Sequence, residues 1–431
     1  MEHFVIEGGR KLAGTITPVG NKNAALPLLA ASLLTRDPLT LQNVPNIGDV
    51  RTKVELLRRL GVSADFAADT GVCTLISGDL EGAEPDLEIS RRIRTAPLLA
   101  GPLLARRGYA TIGMPGGDRI GRRRLDTHLL ALQSLGATIE PGPGQFTLRA
   151  DRGLRGADIF LDEMSVTGTE QALLAAVTAE GTTTIANAAS EPHVQDVCRC
   201  LTAMGAKIAG IGTNHLVVEG VTSLRGTTYA IGPDYMEVGS LIGLAAATGS
   251  ALRIENARPD EQRMAAIMLG RLGVRWDVDG ETILVPPEQE LVVHTEFDGA
   301  IPKIDDMPWP GFPPDLVSIA LVVATQARGT VLIHQKMFDR RLVFTDSLVE
   351  MGAQIVLCDP HRAVVIGPTP LHGRTLVSPD IRAGMALVIA ALAAQGQSRI
   401  HNIQQIDRGY AELEVRLRSL GAIIERRGGG A

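Results

Sequence analysis

Aromatic side chains are scarce: two tryptophans, four tyrosines and eight phenylalanines make up 3% of 431 residues. Beside 47 glycines, that shortage implies small-residue helices packed closely against sheets. A basic excess is missing too. Lys and Arg number 42 against 48 Asp and Glu, a net charge of −6, which excludes general nucleic-acid binding because that needs a basic face. Cysteine is limited to Cys73, Cys198, Cys200 and Cys358, and Cys198-Arg-Cys200 has the wrong spacing for a redox pair or a zinc knuckle. All four are expected to be reduced core residues. No His/Cys/Asp cluster has ligand spacing, so neither a metal nor another cofactor is called for. The longest apolar runs, such as residues 383–394, fall short of the ~20 residues of a membrane span, and the first residues lack a secretory pattern. A soluble, cytoplasmic protein without a membrane partner is expected. Oligomeric state leaves no trace in the sequence.

What is present is length and repetition. Domains usually split beyond roughly 250–300 residues, so two lobes are expected. A helical pattern ending in Leu or Met, then Gly, then Ala or Val, then a strand, occurs six times. The instances are Leu60-Gly61-Val62, Leu135-Gly136-Ala137, Met204-Gly205-Ala206, Leu272-Gly273-Val274, Met351-Gly352-Ala353 and Leu420-Gly421-Ala422. Glycine past a helix end is the usual left-handed cap. A second feature keeps the same beat: Ala/Leu-rich helices, at residues 24–34, 170–179, 237–248, 316–327 and 384–394, precede short Thr/Ile strands. Apolar nearly all round, they read as buried helices. Units of about 70 residues exceed the usual solenoid period of roughly 20–50. The reading is a two-lobed inside-out α/β barrel with three repeats per lobe. Lobe one is expected at residues 22–232 and lobe two at 1–21 with 233–431, with an active site in the cleft between them.

Copies that depart from the common pattern are the candidates for chemistry. The second holds Met114-Pro-Gly-Gly-Asp118, placing Asp118 on a tight turn, followed by Arg119, Arg122, Arg123 and Arg124. An isolated arginine run is ordinarily a solvated loop; the glycine-rich lead-in at the end of a repeat strand argues otherwise. Copy one starts a helix with Asn21-Lys22-Asn23, where the helix dipole also favours anions. Copy five fixes Asp315 behind three prolines at the start of a buried helix, where a plain reading makes it an N-cap. It ends in Phe338-Asp339-Arg340-Arg341, and copy six adds Asp380-Ile-Arg382 and Ile406-Asp407-Arg408-Gly409-Tyr410. Each Asp-Arg neighbour taken alone reads as a structural ion pair. Together they put cations at equivalent strand-to-helix junctions, which is what clamping a doubly charged anion requires.

These motifs, with Pro115-Gly116-Gly117-Asp118 and Phe312-Pro-Pro-Asp315, resemble the enolpyruvyl transferases over nearly the whole chain, and follow the sugar-nucleotide branch more than the shikimate-3-phosphate one. The resemblance implies addition–elimination between phosphoenolpyruvate and the 3′-hydroxyl of UDP-N-acetylglucosamine, the first step of peptidoglycan-precursor synthesis. By position, Asp118 matches the proton donor and Asp315 the carboxylate that takes the hydroxyl proton, with Lys22 and Arg408 as catalytic cations. Lys22, Asn23, Arg123, Arg382 and Arg408 match the phosphoenolpyruvate site. Arg94, Arg123, Arg124, Leu125, Asp126, Thr127, Glu163, Met164, Ser165, Val166, Asp315, Met337 and Arg341 match the sugar-nucleotide site. His128 lies near them and reads as a hydrogen-bonding neighbour.

Two departures from the family pattern stand out. Glu163-Met-Ser-Val replaces a common Lys-Val-Ser-Val, and Arg124 stands where proline is common. A different nucleotide or sugar acceptor, or a catalytically silent nucleotide-binding paralogue, therefore stays open. Asp118 stands where many members carry cysteine, which keeps an acid and removes a soft nucleophile. Epoxides of the fosfomycin type act on that thiol, so the chain is expected to resist them. Intact-mass analysis after incubation should find no adduct on the native chain and one on Asp118→Cys; stoichiometric labelling of Asp118 contradicts this.

Overall fold

A computed structural model describes residues 2–428 except positions 81, 119 and 122. Among the described residues the strands form six small sheets that share no strand, five of four strands and one of three. Five follow one plan. In the first copy the strand Leu39–Gln42 pairs in parallel with Thr228–Ala230 and antiparallel with Val72–Ser77, which completes a hairpin with Val62–Ala67. The sixth copy draws its inner hairpin strand from the N-terminus, with Phe4 opposite Ile400 on one side and Arg426 on the other. Likewise Ala13–Ile16 is the parallel edge of the fourth copy, beside Ala251–Ile254.

Two compact units result. Lobe I is Gly20–Asp118 with Arg123–Gly232; lobe II is the chain before Gly20 and from Pro233 onward, together with residues 120 and 121. Those two residues, read above as lobe one, group with lobe II: Ile120 O accepts from Arg340 N at 3.2 Å.

Each copy carries one buried helix: α1 (Lys22–Ala31), α2 (Ala100–Arg107), α3 (Val166–Ala176), α4 (Tyr235–Thr248), α5 (Val317–Gln326) and α6 (Ile381–Ala393). Several begin a turn earlier than the apolar pattern suggested, because a polar cap precedes it. In lobe II, α4, α5 and α6 pack on one another. Glycine makes that possible, since a Cβ at Gly243 of α4 would meet Ile319 Cγ2 of α5 at 2.3 Å. Thus the glycine-rich, aromatic-poor composition is spent between helices as much as against sheets. Cys73, Cys198 and Cys200 are buried free thiols; Cys358, expected in the core, is exposed because its strand Gln354–Asp359 is the outer one of its sheet.

The helix starts separate the copies further. Side chains of Asn21, Ser165, Asp234 and Asp380 cap α1, α3, α4 and α6. No side chain caps α2 or α5, and a 3-10 turn leads into each, Ala96–Leu99 and Pro314–Leu316. Among the described residues the second copy also lacks the parallel edge strand. A single helical turn, Leu87–Ser90 under its cap Asp86, stands there instead. The loop of residues 115–118 then runs against residues 91–94. A Cβ at Gly116 would meet Arg91 O at 1.7 Å, and Gly117 has φ +105°. Only glycine fits that approach.

All six repeat glycines have positive φ, from +83° at Gly273 to +111° at Gly352. A Cβ at Gly205 would touch nothing, whereas one at Gly273 would meet Val292 N at 2.7 Å. Gly205→Ala should therefore cost about 1–2 kcal/mol from backbone strain alone, and Gly273→Ala distinctly more. Equal losses in denaturant titrations would contradict this account.

Candidate active site

In lobe I the charged groups gather at helix starts. Asn21 accepts from the backbone N–H of Asn23 at 2.8 Å and of Ala24 at 3.2 Å, which fixes the first turn of α1. Lys22, buried there, pairs with Asp49 at 2.8 Å. Asp49 opens the outer helix Gly48–Arg59 and, being buried as well, compensates a charge that is costly to bury alone. Arg94 donates to the backbone carbonyls of Arg123 at 3.2 Å and Arg124 at 2.7 Å, pinning the arginine stretch from behind. Burial lowers the pKa of Arg94 to about 10, with the Arg123 charge acting the same way and Glu163 opposing. Arg119 and Arg122 lie outside the described residues.

The Arg124 guanidinium faces three carboxylates, Asp162 at 3.3 Å and Asp126 and Glu163 at 3.9 Å. The anion at 163 and the cation at 124 are thus neighbours, and the charge lost at one position stands at the other. Asp162, which the sequence reading passed over, also accepts from Thr127 Oγ1 at 2.7 Å and so ties the arginine stretch to the segment before α3. Ser165 caps α3, accepting from Gly168 N at 3.1 Å. Leu125 is buried, Met164 and Val166 half-buried, and Asp126 starts the next outer helix. Asp118 is half-buried.

Lobe II carries a second cluster. Both oxygens of Asp315 accept from arginines: one from Arg341, the other from Arg382 Nε at 2.8 Å. This replaces the N-cap reading, since Asp315 sits inside the 3-10 turn and no side chain caps that turn or the helix after it. Arg341 also reaches Asp380 at 3.2 Å, while Asp380 caps α6. Arg382, buried, donates to Tyr410 OH at 3.1 Å; Tyr410 meets Ser240 Oγ at 3.1 Å. Burial pushes the Tyr410 hydroxyl up, and Arg382 pulls it down. Arg408 is held by Gln405 Oε1 at 2.9 Å. The neighbouring Asp407 does not serve Arg408: it binds Arg426 at 2.6 Å, which also takes Glu414. Sequence adjacency therefore misassigned most of the Asp-Arg pairs. Met337 is 40% exposed on a loop tied down by buried Asp306, whose carboxylate accepts from Met337 N at 3.1 Å. Asp49, Asp162, Asp306 and Ser240 went unread. Asp162 and Asp306 share one signal: each follows a parallel edge strand closely.

This plan of repeated sheets is shared with a solved enolpyruvyl transferase. A family model described as EPSP synthase (3-phosphoshikimate 1-carboxyvinyltransferase) matches residues 6–417. The chain belongs to this family. Within it, the chain is similar to the UDP-N-acetylglucosamine 1-carboxyvinyltransferase of Treponema denticola, 52% identical over 99% of both chains. The protein of the same name from Bradyrhizobium diazoefficiens is 52% identical over 98% of this chain and 97% of its own. Among solved structures, the enolpyruvyl transferase NikO from Streptomyces tendae superposes with a TM-score of 0.88 at 25% identity, covering 100% of this chain and 99% of its own. An EPSP synthase from Acinetobacter baumannii shares the fold, with a TM-score of 0.75.

His128 offers a pH test of lobe I. It is buried, with Nε2 2.8 Å from Thr167 Oγ1, and burial together with the charges of Arg94 and Arg123 pushes its pKa down to about 3. The folded state thus binds this proton more weakly than the unfolded chain, whose histidine titrates near 6.5. The stability is fully present above 6.5 and drains as pH falls below it, by about 2 kcal/mol at pH 5. Denaturant titrations from pH 7 to 5 should show that slope flattened in His128→Gln. An unchanged slope would assign the effect to other groups.

Proposed function

We propose that the chain transfers the enolpyruvyl group of phosphoenolpyruvate to the 3′-hydroxyl of UDP-N-acetylglucosamine, releasing phosphate, as the first step of peptidoglycan-precursor synthesis in the cytoplasm. The observation that carries this reading is 52% identity over 99% of both chains with a transferase of that name. Lys22, Asn23, Arg123, Arg382 and Arg408 take the carboxylate and phosphate of phosphoenolpyruvate. Arg94, the stretch from Arg123 to Thr127, the segment from Glu163 to Val166, Met337 and Arg341 take the sugar nucleotide.

In the reaction, the 3′-oxygen bonds to C2 of phosphoenolpyruvate as Asp118 delivers a proton to C3, and Asp315 takes the hydroxyl proton. Loss of a C3 proton and departure of phosphate from C2 then leave the enol ether. A carboxylate has about four lone-pair sites, so Asp315 accepts from two guanidinium groups and a hydroxyl at once. The same arginines hold it in place for the encounter. Arg124 supplies beside the diphosphate the cation missing at Glu163, which favours the sugar nucleotide over a changed acceptor. The resistance expected at Asp118 belongs to this reading.

Phosphate release from phosphoenolpyruvate, measured with UDP-N-acetylglucosamine, UMP and other nucleotides, tests the proposal. Turnover with UDP-N-acetylglucosamine alone is expected, and Asp315→Asn should lower kcat by at least about 100-fold. Turnover only with another acceptor supports the specialised reading, and binding without turnover supports the silent paralogue.

A further inference from the structure

The outer helix Gly48–Arg59 uses two successive turns of one face on charge. Asp49 holds Lys22 at 2.8 Å, and Lys53, four residues on, is wholly buried with Nζ donating to the Thr95 carbonyl at 2.8 Å. Residues four apart on a helix share a face, so one rigid rod meets both groups. Thr95 follows Arg94, the residue whose guanidinium holds the carbonyls of Arg123 and Arg124. The Thr95 carbonyl also accepts from Leu98 N at 3.2 Å, closing the 3-10 turn that leads into the uncapped α2. Facing Lys53 from α3 is Glu170, itself buried, five residues beyond the cap Ser165.

Buried charged groups are weak ground for stability, because apolar replacements of similar volume are often neutral or better. Burial pushes Lys53 down to about 7 and Glu170 well up, so both groups are held at a cost. The ammonium does, however, what no apolar side chain does: it fixes a carbonyl in the turn that carries Arg94. We propose that Lys53 is a positioning residue, setting the Arg94 turn, and through it the backbone of residues 123 and 124, in register with Lys22 on the same helix. Lys53 touches neither substrate. It ties the phosphoenolpyruvate lysine to the nucleotide-binding arginines inside lobe I. The assignment of those two roles rests on the function proposed above.

The test is the double variant Lys53→Met with Glu170→Leu, which removes both titratable groups and leaves the Thr95 carbonyl accepting from Leu98 N. Expected are a melting temperature no lower than wild type and a KM for UDP-N-acetylglucosamine raised about tenfold with kcat within about twofold. Faster amide exchange in residues 91–98 and 123–128 of the unliganded protein should accompany them. A double variant that fails to fold assigns the pair to stability and overturns the proposal. So does one with wild-type KM and wild-type exchange. Absence of turnover in the wild-type protein refutes the proposed reaction, while the exchange comparison still decides the role of Lys53.

Discussion

The candidate site in lobe II depends on one constraint: two buried guanidinium groups, Arg341 and Arg382, must find carboxylates. An uncompensated buried charge costs several kcal/mol, so the position of Asp315 is dictated before any substrate is considered. The three prolines around Phe312 place that carboxylate, and the cap Asp380 takes the remaining contact of Arg341. Tyr410 and Ser240 complete the shell. Asp315, Arg341, Asp380, Arg382 and Tyr410, drawn from separate motifs in copies five and six, are one electrostatic unit.

Lobe I solves the same problem differently. Its cations are compensated by several shorter devices: Asp49 under Lys22, two carbonyls in front of Arg94, three carboxylates around Arg124. Exposed pairs of the last kind contribute little to stability, at most about 1 kcal/mol each. Arg124 therefore stays available for a ligand at small conformational expense. Lys22 has no such freedom, since its partner is buried with it.

The six-fold repeat was legible because its signal is local. A glycine past a helix end needs positive φ whatever surrounds it, and all six repeat glycines have it. Burial of the central helices was equally plain from side chains apolar on every face. Partner choice was not legible, because it depends on which elements the fold brings side by side. Asp407 and Arg408 are adjacent in sequence yet take different partners, and Asp49 meets Lys22 from another helix. Asp315 had the sequence environment of a cap and the spatial environment of an ion pair. Cys358 was misjudged for a related reason: strand residues alternate, and nothing in the local sequence says which strand lies outermost.

The missing edge strand of the second copy has a consequence for how such a chain can change. Because no strand belongs to two sheets, deleting one perturbs a single ladder and leaves five intact. The freed segment of residues 84–95 is no longer bound to a hydrogen-bonding register, and neither is the loop that lies against it. A residue inserted among residues 84–90 would slip no ladder, whereas Gly116 and Gly117 stay fixed by their approach to residues 91–94. A duplicated architecture with separate sheets thus confines the loss of a strand to one copy, and in this chain that copy holds Asp118.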